Sequence, residues 1–133
     1  MNSALRAAVR LQAGGRCEYC RLPDDLGQLD PFHLEHIVPR LHGGRAEQDN
    51  LAWACARCNR RKGTNLSGVD PDSGEVTALF HPRRQVWLDH FRWVEGRILG
   101  LTPVGRTTAW LLDMNAQDRR EIRRLLKPPD DNP

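Results

Sequence analysis

The chain of 133 residues has no apolar run approaching the length of a bilayer span, so a membrane-crossing helix is not expected. Its first stretch, "MNSALRAAVRLQAGG", carries two arginines in an amphipathic pattern and lacks the uninterrupted apolar core of a secretory signal. A cytoplasmic protein is therefore expected. There is no internal repeat, no low-complexity tract and no linker-like segment, and the length suits one domain with a modest core. Cysteine is confined to four residues in two close pairs. In a reducing compartment such pairs read as metal ligands rather than disulfides. Hydrophobic residues at 39% and charged residues at 28% fit a soluble globular protein.

The formal net charge of +3 is mild, but it is unevenly placed. Arg57, Arg60, Arg61 and Lys62 lie within six residues, and Arg83 and Arg84 form a second cluster. Taken alone, each cluster reads as a solvated surface. Beside a metal site, the first points towards a polyanion.

Local patterns divide the chain into elements. Ala4, Ala7, Ala8 and Leu11, with Leu5 and Val9, predict a helix over 3–13, with Ser3 as N-cap and Gly14-Gly15 as the stop. "CEYC" is a tight turn, Gln28 to Val38 is extended, and Leu51 to Ala56 begins a helix that runs through "CARCNRRK" to Gly63. "DPDSGE" at 70–75 is a reversal and "VTALF" a strand. Gln85 to Phe91 makes one or two helical turns, and "WVEGRILGLT" is a hairpin bent at Glu95-Gly96. Helices follow over Pro103–Met114 and Ala116–Leu126, the second capped by Asn115, and the end "PPDDNP" is frayed. Trp87, Phe91 and Trp93 read as core.

Cys17-x-x-Cys20 and Cys55-x-x-Cys58 are separated by residues 21 to 54. A two-residue spacer lets one turn supply two sulfurs to one ion, so the four together predict one structural zinc per chain. Such a metal would staple a small core and contribute directly to its folding.

Between the pairs lies "HLEHIVPR", with His33, Glu35 and His36 in four positions, and the stretch from Glu35 to Gly63 reads "EHIVPRLHGGRAEQDNLAWACARCNRRKG". With its flanking cysteine pairs it resembles the zinc-bound HNH endonuclease family. "GVDPDSGEVTALFHPRRQVWLDHF" and "GLTPVGRTTAWLLDMN" are similar to the downstream part of one bacterial branch. The resemblance implies an α+β fold: a small ββα-metal core over about 14–66 with a structural zinc knuckle, an N-terminal helix, and a strand and helix extension over about 67–127 before a tail at 128–133. The whole is expected as a single domain.

By position, the resemblance makes His36 the general base and Asn50 the residue that ties down the loop and orients the base. Glu35 and Asn59 become the ligands of a catalytic divalent cation. Glu35 stands where Asp or His is more familiar, and Asn59 where many members have His, so the ligands are oxygens. Such a donor set suits Mg²⁺ or Mn²⁺ better than zinc. Phosphodiester hydrolysis needs a water made basic, which a neutral histidine can supply, and charge neutralisation at phosphate, which a cation can supply.

Arg40, His42, Arg57, Arg60, Arg61, Lys62, Arg83 and Arg84 are candidate nucleic-acid contacts. His42 reads equally as a turn residue and Arg83-Arg84 as a solvated pair. His33 is either structural or substrate-facing, and His81 and His90 have no assigned role. The leading expectation is an endonuclease hydrolysing DNA, or RNA by the same chemistry, with no membrane partner. The alternatives are a nucleic-acid-binding zinc module without cleavage, and an interaction protein using the zinc knuckle as a scaffold.

Overall fold

The structure is a computed structural model that describes residues 3–26 and 30–129. The start of the extended stretch at Gln28 and the tail from Asp130 lie outside the described residues. The chain divides into two compact units, Met1–Thr64 and Asn65–Pro133, both of mixed helix and short strand.

In the first unit, α1 (Ser3–Gln12) ends where expected, because Gly14 and Gly15 adopt φ of 65° and 72°. A side chain there would be strained, so the pair stops the helix. Val9 is its fully enclosed residue. Arg6 lies over the Trp53 ring, 4.5 Å from its centroid, and donates to the Phe32 carbonyl. Arg10 makes a two-pronged contact with Asp24 at 2.7 and 3.0 Å, and Trp53 Nε1 donates to the same carboxylate. These contacts fix α1 to the strand that carries Trp53.

That strand corrects one expectation. Leu51–Ala54 is β2, paired antiparallel with β1 (His33–His36), and only the following Ala56–Lys62 is helical (α2). All four β2 residues are buried, and a strand covered on both faces reads as a continuous apolar run. Four residues are too few for periodicity to tell that run from the first turn of a helix. Glu18 completes the burial of β2. Its N–H donates to the Trp53 carbonyl at 2.8 Å, and its carboxylate accepts from the Trp53 N–H at 2.7 Å. It thereby stands in for a third strand.

In the second unit, β3 (Ser67–Val69) pairs with β4 (Val76–Ala78) around the Asp70 turn. Asp70 accepts from the Asp72 N–H, the Ser73 hydroxyl and both arms of Arg106, and these bonds lower its carboxyl to about 2, the Arg106 bond most. The hairpin β5 (Phe91–Val94) and β6 (Arg97–Gly100) bends as predicted at Glu95 and Gly96, whose φ values are 50° and 81°. Positive φ at both central residues matches the twist of a two-residue hairpin. The short α3 (Trp87–His90) precedes it, and Trp87, Phe91 and Trp93 are buried. Helix α4 (Pro103–Leu111) is capped by the Thr102 hydroxyl, which accepts from the Gly105 N–H. α5 spans Gln117–Arg124.

Asn115 is not the cap of α5; Ala116 holds that position. The Asn115 amide instead accepts from the Ile98 N–H and donates to the Ile98 carbonyl, both at 2.8 Å. It closes the outer edge of β6 as a neighbouring strand would. Replacing Asn115 with alanine leaves both backbone groups without their partner. The expected cost is about 2 kcal/mol, measurable as a lower denaturant midpoint at unchanged slope.

Candidate active site and zinc centre

The candidate zinc centre is assembled from the turn after α1 and the start of α2. Cys17, Cys20, Cys55 and Cys58 are all buried, and their sulfurs lie within 4.8 Å of one another. Cys20 and Cys55, 35 residues apart in sequence, bring their sulfurs to 3.7 Å. A disulfide would need about 2 Å. A tetrahedron of thiolates around zinc, with bonds of about 2.3 Å, puts its sulfurs about 3.8 Å apart. The donor set and its spacing therefore suit zinc. Cys55 serves twice, because its sulfur also accepts from the Cys58 N–H as the N-cap of α2. Without a cation, burial raises the Cys17 thiol well above its ordinary value, and the neighbouring thiols, Cys17 first, do the same for Cys58. A bound metal reverses that balance by stabilising thiolates.

His36 ends β1 and is half-buried, while its neighbour Glu35 faces inward. Arg40 Nε donates to His36 Nε2 at 3.4 Å. Burial first, then the charges of Arg40 and Lys62, hold the imidazole below its ordinary 6.5. Those influences keep the ring neutral near pH 7, with Nε2 as the acceptor nitrogen. That is the state a general base requires.

Asn50 ties down the loop after β1. Its side-chain oxygen accepts from the Val38 N–H at 2.9 Å, and its nitrogen donates to the carbonyls of Val38 and Arg45. Gly44 packs so closely here that a Cβ would run into the Val38 carbonyl. Asn50 therefore acts on the backbone after His36, with no hydrogen bond to the imidazole.

Glu35 departs from its expected place as an open cation ligand. Its side chain is 3% exposed, and both oxygens are engaged: one accepts from Lys62 Nζ at 2.6 Å and the other from the Tyr19 hydroxyl at 2.7 Å. Burial raises the Glu35 carboxyl, and the Lys62 charge and both hydrogen bonds oppose that. Lys62 likewise leaves the basic patch, since its side chain is 2% exposed and its ammonium is spent inside the fold. Of the motif residues, Asn59 keeps an amide that makes no hydrogen bond within the described residues. With Glu35 buried and bound by Lys62 and Tyr19, Glu35 and Asn59 as they stand do not form a divalent-cation site.

Arg40, Arg60 and Arg61 are exposed and Arg57 half-buried. His42 is exposed, with Nε2 3.2 Å from the Thr64 carbonyl. His33 is exposed at the start of β1. In the second unit Arg84 is exposed and Arg83 half-buried, with the Arg83 N–H donating to His81 Nδ1 at 3.2 Å. His81 thus serves a local turn, whereas His90 Nδ1 lies 2.6 Å from the Thr102 hydroxyl, which caps α4 on the far side of the β5–β6 hairpin. Sequence reasoning missed Glu18 and Tyr19. Tyr19 is the single tyrosine of the chain and sits inside a zinc turn, the one signal that could have marked it.

Residues 17–65 match the family model described as HNH endonuclease, a span that takes in both cysteine pairs, His36, Asn50 and Asn59. The chain is 25% identical over 126 residues to the Septu protein PtuB of Bacillus thuringiensis, an alignment covering 92% of this chain and 45% of that protein. The chain thus spans less than half the length of this curated relative. No solved structure matches it. Among the described residues no helix is long and apolar enough to cross a membrane.

Proposed function

We propose, with the HNH match over residues 17–65 as premise, that the chain is an endonuclease that hydrolyses DNA phosphodiester bonds with His36 as general base. The observation that carries this reading is the placement of His36: a half-buried imidazole at the end of β1, with the Arg40 guanidinium 3.4 Å from Nε2 and with burial and the charges of Arg40 and Lys62 holding it below its ordinary value. For the step, Arg40 turns from His36 Nε2 to the phosphate, and the freed lone pair takes a proton from the attacking water. The water oxygen bonds phosphorus as the bond to the leaving sugar oxygen breaks, that oxygen taking its proton from solvent. Asn50 holds the loop that carries Arg40. Arg57, in the first turn of α2, and Arg60 and Arg61, in its last, contact the backbone of the nucleic acid. Zinc at the four cysteines holds the framework and takes no part in the chemistry. The Mg²⁺ or Mn²⁺ implied by the resemblance finds one open motif donor, Asn59, and no open carboxylate. Reduced thiols in a zinc centre fit a cytoplasmic location.

The test is nicking or linearisation of supercoiled plasmid by the wild-type protein, with and without Mg²⁺ or Mn²⁺, against His36→Ala. Binding without any cleavage would leave the alternative, a nucleic-acid-binding zinc module. The basic helix has its own signature. Arg61→Ala should weaken DNA binding on all sequences alike and reduce the salt slope by about one unit, because one phosphate fewer is neutralised. An unchanged slope in a salt titration removes Arg61 from the interface.

A further inference from the structure

We propose that Lys62 is a positioning residue for the His36 base, its ammonium occupying the Glu35 carboxylate that a divalent cation would otherwise take. The proposal rests on the nuclease reading of His36. Lys62 lies in the last turn of α2 and reaches back to the end of β1. Its ammonium has three N–H groups and three acceptors: Glu35 Oε1 at 2.6 Å, the His36 carbonyl at 3.1 Å and the Ile37 carbonyl at 2.9 Å. Successive carbonyls of a regular strand point to opposite sides. Here two in a row converge on one nitrogen, so the chain turns at His36–Ile37, with Lys62 holding these two carbonyls and Asn50 the N–H groups of Ile37 and Val38. The turn ends the strand just after His36, whose ring strand alternation sets on the face opposite Glu35, and starts the loop that places Arg40 against it. The other Glu35 oxygen is held by Tyr19, from the zinc turn, so the base is braced from two elements at once.

The cation-ligand role for Glu35 competes directly with this arrangement. A divalent ion at Glu35 would have to reach a carboxylate that is 3% exposed and sit beside the buried Lys62 ammonium, or displace that ammonium from its counter-charge; both are strongly unfavourable. The carboxylate is better accounted for as the anchor of Lys62.

The experiment compares Lys62→Gln, Lys62→Arg, Glu35→Gln and the double Glu35→Gln/Lys62→Gln variant with the wild-type protein. Cleavage is measured at saturating and limiting DNA and across Mg²⁺ and Mn²⁺ concentrations. Zinc content reports folding, and the imidazole carbon–proton NMR signal of His36 reports its placement independently of activity. Lys62→Gln should lower kcat roughly tenfold to a hundredfold, as a displaced catalytic group does, with KM and zinc content unchanged and the His36 signal displaced. The double variant should be no worse than the poorer single one. Should Lys62→Gln fail to fold, Lys62→Arg decides. It keeps the charge in a planar fork that cannot reach three convergent acceptors, so it should retain zinc while shifting the His36 signal and lowering kcat. Wild-type kcat and an unmoved His36 signal in the folded Lys62 variants overturn the proposal. So does a Glu35→Gln variant that needs far more cation while Lys62→Gln does not, because Glu35 would then be a ligand. If the wild-type protein cleaves nothing, the nuclease reading fails by itself, and the His36 signal still decides for or against Lys62.

Discussion

Replacing His36 with alanine should reduce cleavage by roughly a hundredfold to ten-thousandfold, the range a general base contributes, while DNA affinity stays near the wild-type value. The imidazole acts on the proton of the attacking water, a step that ground-state binding does not involve. The pH profile carries the same information. Only the neutral ring can accept a proton, so activity should fall as pH drops through the His36 pKa. That pKa lies below 6.5, because burial and the charges of Arg40 and Lys62 all disfavour the imidazolium. The acid limb should therefore sit below pH 6.5 and move upward in Arg40→Ala, which removes one of those charges. Measuring cleavage and affinity side by side separates the outcomes. If His36→Ala loses binding as badly as cleavage, the residue is holding the site together and is not its base.

Cys55→Ser should be the most damaging single substitution for the fold of residues 1–64. Cys55 contributes a sulfur to the metal centre and caps the helix that carries Asn59 and Lys62. Structural zinc contributes on the order of 10 kcal/mol in small zinc domains, as much as the whole stability of many proteins. The expected results are a zinc content falling from about one per chain towards zero, rapid proteolysis within residues 1–64, and the same behaviour when a chelator strips the wild-type protein. A folded, metal-free Cys55→Ser protein would mean that the four thiols do not hold the core together.

Much of this protein was legible in its sequence because the signals are local. The Cys-x-x-Cys spacing needs only one turn to bring two sulfurs together, and the two pairs do meet in one buried cluster. Gly14-Gly15, Asp70 with Ser73, and Glu95-Gly96 each bend the chain where their own backbone preferences or side-chain hydrogen bonds require it. The motif around His36 was equally readable, since residue type and order define it.

Tertiary structure decided what depends on partners distant in sequence. Leu51–Ala54 became a strand because β1 and Glu18 offered hydrogen bonds on its two edges, and no pattern within four apolar residues could announce that. Asn115 looked like a cap, yet the open edge of β6, 17 residues away, competed for the same amide and won both of its hydrogen bonds. Glu35 and Lys62 stand 27 positions apart, one suggesting a metal ligand and the other a phosphate contact. Burial brought them to 2.6 Å, and away from water each charge is far more stable beside its opposite than left open to a ligand.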